Sequence, residues 1–349
     1  MSKNLKRISK LLLIPILSLG IISLNSEVPI LKTALPFYES IVQEVLADET
    51  KGESQTQTQI QSQAKTEPPS QSQQESSSDI IIPPTDSSYL MVNLETGDTI
   101  LTKNADLKRA PASTLKLLTG LLVIDKLSPE QEITVGDEVN ISGSSLGLLP
   151  GDRIKVKDLL TATFVLSAND AANALAVAAY GTMDNFLENM NQYAKEIGCT
   201  DSQFKTASGM PAEGQYITAQ DLALIAREFI KNEKLMEYVN MKEATVQWTQ
   251  SKGWLQIRKL TNTNMLLDIY PGDIGLKTGT TTEAGQCLVT LVTREDGDLL
   301  LVLLGSEQRY TDTVELLDKG MSRIRSHSAL KNIIISPESL YTYPGYYVQ

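Results

Sequence analysis

The sequence predicts an α/β (α+β) domain in which an antiparallel sheet, built from both ends of the domain, is flanked by helices. Three observations predict it. A hairpin pattern opens the folded region, with Tyr89–Asn93 and Thr99–Thr102 around Glu-Thr-Gly-Asp. Helical apolar periodicity fills the middle, over 113–126, 155–166, 169–180, 184–197 and 218–231. Two β-rich apolar runs, 285–293 and 299–305, joined by Arg-Glu-Asp-Gly-Asp, precede an amphipathic helix over about 311–325. Strands at both ends with helices between them satisfy one antiparallel sheet covered by helices.

Each segment follows from its composition. Residues 1–24 begin with Lys3, Lys6, Arg7 and Lys10 and continue into a mostly apolar run, Leu11 to Leu24. Basic residues at one end of a run shorter than a bilayer span predict an export signal or N-terminal anchor. Residues 25–47 hold an apolar, membrane-proximal stretch (Ile30, Leu31, Leu35, Ile41, Val42, Val45) with no assigned role. Residues 48–86 are rich in Gln, Ser and Thr, with Pro-Pro at 68–69 and 83–84. Such a segment buries too little apolar area to offset its ordering entropy, so it is predicted to be a disordered linker. The folded domain is expected over 87–326, followed by a C-terminal tail, 327–349, carrying Tyr341, Tyr343, Tyr346 and Tyr347. The chain is thus expected to be exported to the cell envelope, with membrane contact only through its N-terminus.

Composition excludes several function classes. The net charge is −11, and the first 24 residues contribute only positive charge, so the remainder is more acidic still. An acidic body opposes nucleic-acid binding, which needs a basic footprint. Two cysteines, Cys199 and Cys287, are too few for a disulfide framework and read as buried thiols. No Cys/His cluster has metal-ligand spacing, so neither a metal nor a cofactor is expected. The one histidine, His327, lies in the polar stretch Arg-Ile-Arg-Ser-His-Ser and reads as a surface residue. A Ser-His-Asp triad is therefore not expected, and a serine hydrolase here would need Lys, Glu or Asp as its base.

Three short strings supply such a site. Ser113-Thr-Leu-Lys116 opens an apolar helix after Ala110-Pro-Ala. Residues i and i+3 share a helix face, so Lys116 lies under Ser113. A lysine in an apolar helix is desolvated and driven toward its neutral, basic form, able to take the Ser113 proton. The helix start also offers a backbone N–H to an oxyanion. Ser167-Ala-Asn169 falls between two helices, where a hydroxyl can relay a proton and an amide can bind a peptide carbonyl. Lys277-Thr-Gly279 precedes Thr280 on a predicted strand. It offers a cation, the Thr278 and Thr280 hydroxyls, and close backbone approach at Gly279. Each string alone also fits a cap or turn: Ser-x-x-Lys occurs four times, and Ser-x-Asn also at Ser23-Leu-Asn25. Their order and settings carry the weight.

Ala110-Pro-Ala-Ser-Thr-Leu-Lys, Ser-Ala-Asn-Asp-Ala-Ala and Lys-Thr-Gly-Thr-Thr-Thr-Glu-Ala-Gly closely resemble the serine-type D-Ala-D-Ala carboxypeptidases, the low-molecular-mass penicillin-binding proteins of peptidase family S11. The resemblance extends to Lys103-Asn-Ala-Asp, Thr218-Ala-Gln-Asp-Leu-Ala and Thr261-Asn-Thr-Asn-Met-Leu-Leu. It implies a β-lactamase/transpeptidase-like fold, peptidoglycan stem peptides as substrate and β-lactams as covalent inhibitors. It also implies Ser113 as acylated nucleophile, Lys116 as base, Ser167 and Asn169 on the opposite wall, and Lys277, Thr278, Gly279 and Thr280 around the terminal carboxylate. The backbone N–H groups of Ser113 and Thr280 would form the oxyanion hole. Many members have His where this chain has Gln215 and Thr280.

The reading that follows is a penicillin-sensitive carboxypeptidase that removes the terminal D-Ala of pentapeptide stems. Alternatives are a class A β-lactamase, a D,D-endopeptidase or transpeptidase, and a non-catalytic wall-binding protein. The only Glu-x-x-x-Asn match for a β-lactamase deacylation loop between Ser167 and Lys277 is Glu228…Asn232, in a predicted helix.

Overall fold

A computed structural model describes residues 86–335, with side chains through residue 326. The predicted signal, the 25–47 segment, nearly all of the 48–86 linker, the aromatic tail and the His327 side chain lie outside the described residues.

The hairpin pattern forms β1 (Ser88–Asn93) and β2 (Thr99–Lys103). A 3₁₀ turn, Ala112–Leu115, leads into α1 (Lys116–Val123). Two three-residue strands follow, β3 (Glu132–Thr134) and β4 (Arg153–Lys155). Helices α2 (Val156–Val165), α3 (Asn169–Tyr180), α4 (Met183–Glu196), α5 (Ala219–Ile230) and α6 (Glu233–Val239) come next. Strands β5 (Glu243–Thr249) and β6 (Leu255–Thr261) form a hairpin, and α7 (Leu266–Ile269) is a single turn. The described residues close with β7 (Asp273–Thr281), β8 (Gly285–Arg294), β9 (Gly297–Ser306) and α8 (Arg309–Ile335).

The sheet built from both ends of the domain is five-stranded and antiparallel, in the order β2-β1-β9-β8-β7. Its central strand β9 is apolar on both faces. Leu300, Val302 and Leu304 join the large core with the middle helices, while Leu299, Leu301 and Leu303 meet Leu316, Leu317 and Met321 of α8. A strand covered on both faces reads as a continuous apolar run rather than as an alternation, which is why the Leu299–Leu304 run is uninterrupted.

The expectation of a single sheet needs correction. A second antiparallel sheet, β3-β4-β5-β6, packs on the helical region. Two of its strands are too short for periodicity to register. In β5 and β6 only Val246, Trp248 and Leu260 are buried, and the outer face mixes polar residues with the exposed Leu255 and Ile257. The helix expected over 311–325 is also longer, running to Ile335 past the predicted boundary at 326. Both cysteines are free and buried, as expected.

Candidate active site

The strand carrying Lys277-Thr-Gly is β7, at an edge of the five-stranded sheet, and it lies against the turn that carries Ser113. A Cβ added to Gly279 would sit 2.8 Å from the Ser113 nitrogen and 3.0 Å from that of Thr114. From another side Gly209 is closer still: its Cβ would fall 1.8 Å from the Ala112 carbonyl oxygen. Two glycines thus let β7 and the 205–210 loop reach the backbone around Ser113, an approach any side chain would block. Ala112 and Ser167 both hold left-handed backbones, with φ of 46° and 64°. Such conformations cost on the order of 1–3 kcal/mol each for residues other than glycine, and they cluster at functional sites.

Helix α1 is buried on nearly every side, which a helix apolar all round requires. Lys116 is fully buried at its first position. Its Nζ lies 2.8 Å from Ser113 Oγ, 2.7 Å from Asn169 Oδ1 and 2.8 Å from the Ser208 carbonyl oxygen. Burial is the main force lowering its pKa well below the usual lysine value; the charge on Lys277 adds to the fall and Asp170 opposes it. A neutral amine has two N–H bonds and one lone pair. Asn169 Oδ1 and the Ser208 carbonyl can only accept, so they take both N–H bonds and leave the lone pair facing the Ser113 hydroxyl.

Asn169 is engaged at both ends of its amide, since Nδ2 also donates to the Ser142 carbonyl at 2.8 Å. It is therefore a brace for Lys116 in this state rather than a free carbonyl-binding group. The neighbouring Asp170 is wholly buried and ties down the loop behind it. Its carboxylate accepts from the backbone N–H groups of Leu146, Gly147 and Leu148 and from the Ser145 hydroxyl. The Ser167 side chain is buried between α2 and α3.

Lys277 is 1 % exposed, and its Nζ donates to the Thr278 carbonyl. Burial first, and the Arg309 guanidinium second, lower its pKa to about 7. Arg309, at the start of α8, donates through Nη1 to the carbonyls of Gly279 and Cys287, while its Nε is buried with no partner among the described residues. Gln215, one of the departures from the family pattern, is buried. It gathers the 205–210 loop, accepting from the Lys205 and Thr206 N–H groups and donating to the Met210 carbonyl.

Ser113, Lys116, Asn169 and Gly279 are thus brought together. Sequence reasoning missed Ser208, Asp170 and Arg309. Ser208 acts through its backbone and leaves no side-chain signal. Asp170 stood in view beside Ser167-Ala-Asn169 but reads equally as a helix cap. Arg309 is one more charge at a helix start.

The helix-covered antiparallel sheet, with a half-buried serine and a buried lysine facing an edge strand, is a serine-peptidase architecture of the β-lactamase-like type. The Streptomyces K15 DD-transpeptidase shares it, with a TM-score of 0.64 and 29 % identity over 69 % of this chain and all of that one. The crystal structure of the D-alanyl-D-alanine carboxypeptidase DacD from Francisella tularensis superposes with a TM-score of 0.62 and 27 % identity over 70 % of this chain and 73 % of that one. Residues 74–308 match the D-alanyl-D-alanine carboxypeptidase family, peptidase S11, and the chain belongs to that family. The carboxypeptidase DacF of Bacillus subtilis is 32 % identical over 255 residues, 70 % of this chain and 64 % of its own length. DacC of Escherichia coli is 32 % identical over 258 residues, 70 % of this chain and 63 % of its own length. The chain therefore spans less than two thirds of these relatives.

Proposed function

We propose that this protein is a penicillin-sensitive D-alanyl-D-alanine carboxypeptidase that removes the terminal D-Ala from peptidoglycan pentapeptide stems. The observation that carries the reading is the Lys116 amine, buried, held by two acceptors and 2.8 Å from Ser113 Oγ. Lys116 takes the Ser113 proton as Oγ attacks the carbonyl of the penultimate D-Ala. The backbone N–H groups of Ser113 and Thr280 receive the developing oxyanion. The peptide C–N bond breaks, D-Ala leaves as the amine with a proton returned through Lys116 or Ser167, and the acyl group stays as an ester on Ser113. Water then attacks the ester and frees the shortened stem. Lys277, Thr278 and Thr280 hold the terminal carboxylate, and Arg309 adds a second positive charge behind Lys277. No step needs a metal or cofactor.

The same reading divides the chain into an export signal or anchor over 1–24, a membrane-proximal segment over 25–47, a tether over 48–86 and a catalytic domain over 87–326, acting in the cell envelope. A second reading, transfer of the acyl group to an amine acceptor, is favoured by the likeness to a DD-transpeptidase. The β-lactamase alternative loses its one sequence match. Glu228 sits in α5 paired with Lys231, and Asn232 caps α6.

Incubation with a labelled penicillin, then intact mass and peptide mapping, tests the reading. The expected result is one stable adduct on Ser113, with D-Ala released from a pentapeptide in a separate assay. Rapid penicillin turnover without an adduct would favour the β-lactamase reading, and neither adduct nor D-Ala release a wall-binding protein.

A further inference from the structure

The Thr261-Asn-Thr-Asn264 run has no part in the chemistry above, yet three of its residues are pinned at the base of β7. Asn262 donates to the Val239 and Met241 carbonyls, and its Oδ1 accepts from the Asn264 N–H. Asn264 donates to Asp273, the first residue of β7. Between them, the Thr263 N–H donates to the Val165 carbonyl, and its own carbonyl accepts from the Tyr310 hydroxyl at 2.6 Å. The Thr263 backbone is thereby fixed from α2 on one side and α8 on the other. Its side chain meets β7: Thr263 Oγ1 lies 2.6 Å from Thr278 Oγ1.

The geometry points to Thr263 as a positioning residue that sets the direction of the Thr278 hydroxyl, and so tunes the site toward a terminal carboxylate. This inference rests on the reading of Thr278 as a carboxylate ligand. Two hydroxyls in one hydrogen bond share a single proton between them. If Thr278 donates to Thr263, it has no proton left for substrate. If Thr263 donates, the Thr278 proton is free. A carboxylate can only accept, so its arrival selects the second arrangement, a chain running from Thr263 through Thr278 to the anion. Donation into Thr278 Oγ1 also polarises its O–H, which strengthens the bond to the carboxylate. Thr278 is 4 % exposed, so Thr263 is the partner at hand for its lone pairs.

The test is steady-state hydrolysis by the full chain of the last peptide bond in a diacetylated Lys-D-Ala-D-Ala tripeptide, which releases D-Ala, and in the same tripeptide ending in a carboxamide, which releases D-alaninamide. Thr263→Val is expected to raise KM for the carboxylate about fivefold with kcat unchanged, the scale of one hydrogen bond. It should change the carboxamide less than twofold, narrowing the preference between the two. That unchanged carboxamide rate also reports an intact fold. Thr263→Ser should restore the preference. Thr263→Val added to Thr278→Val should raise KM no further, because the effect passes through Thr278. An additive double variant, or a Thr263→Val chain that keeps the full carboxylate preference, overturns the inference while the function stands. A natural chain that does not prefer the carboxylate overturns the reading of Thr278 and this inference together.

Discussion

Two lysines, one on each wall of the site, are equally buried and differently partnered. Lys116 on α1 has three oxygen neighbours from three segments of chain, the Ser113 hydroxyl, the Asn169 amide and the Ser208 carbonyl. Lys277 on β7 has one, the carbonyl of the next residue, and a guanidinium nearby. Burial lowers both pKa values. The difference lies in what the neighbours leave open. Around Lys116 fixed acceptors consume the N–H bonds and present a lone pair. Around Lys277 the Thr278 carbonyl takes one N–H, no other acceptor stands among the described residues, and a second cation raises the reward for an incoming anion. On the proposed reading, one helix wall takes a proton and one strand wall takes a charge.

The sharpest way to break this contrast is at Lys116. Lys116→Ala should reduce acylation of Ser113 by labelled penicillin by about 10³-fold or more, in line with losing a general base that also orients the nucleophile. Lys116→Arg should be equally inactive, because a guanidinium does not deprotonate. A thermal melt of Lys116→Ala should show a folded chain, since removing a buried amine relieves desolvation. Normal labelling in either variant would end the lysine-base account.

Gly279→Ala probes the contact between the two walls. A methyl group there meets backbone nitrogen at 2.8 and 3.0 Å, contacts that no side-chain rotation relieves. Either β7 or the Ser113 turn must shift, and a displacement of about 1 Å is enough to lower the rate about 10²-fold. The expected result is slow acylation in a chain whose melting temperature is little changed. Acylation at the natural rate would mean that the walls are less closely set than these distances.

The lysine difference also predicts a pH profile with separable limbs. Lys277 must be charged to hold a carboxylate, and its pKa in the free protein is lowered to about 7. KM should therefore rise as pH increases above about 7, by up to tenfold per unit, until the pKa of the complex is passed. Lys116 must be neutral to act, so kcat should not fall over the same range. The charge on Lys277 lowers the Lys116 pKa, so neutralising Lys277 makes the Lys116 limb shift with it. A KM flat from pH 6 to 9 would remove Lys277 from carboxylate binding.

The legibility of these features in the sequence follows from their physics. The large sheet was readable because β8 and β9 are long apolar runs and β1–β2 has a turn signal. The second sheet was not, because Glu132-Ile-Thr and Arg153-Ile-Lys are each three residues of ordinary polarity. Ser113 and Lys116 announce each other through helical spacing. The Ser208 carbonyl that completes the lysine's surroundings comes from a residue 92 positions away, and only the folded chain brings it there. Thr263 and Asp170 stand within the strings that carry the family resemblance, but a side chain that orients another has no composition of its own.

Asp273 supplies the smallest and most discriminating test, because it titrates in the same range as Lys277 from the same strand. It is buried, it accepts from Thr290 and Asn264, and desolvation raises its pKa to about 7 despite those bonds. A carboxyl with a folded pKa above its unfolded value of 3.8 stabilises the fold fully below that value. Between about pH 4 and 7 the unfolded chain has released a proton that the fold retains, so stability falls with rising pH and levels off above 7. A rise from 3.8 to about 7 corresponds to on the order of 4 kcal/mol as an upper bound. Asp273→Asn should therefore flatten this part of the melting-temperature profile, measured as the difference from the unaltered chain so that other carboxylates cancel. It should leave the alkaline rise in KM in place, because that rise belongs to Lys277. If the substitution instead abolishes the rise in KM and leaves the stability profile alone, the charge change near pH 7 resides on Asp273's influence over the site, and the division between a proton-taking wall and a charge-taking wall no longer holds.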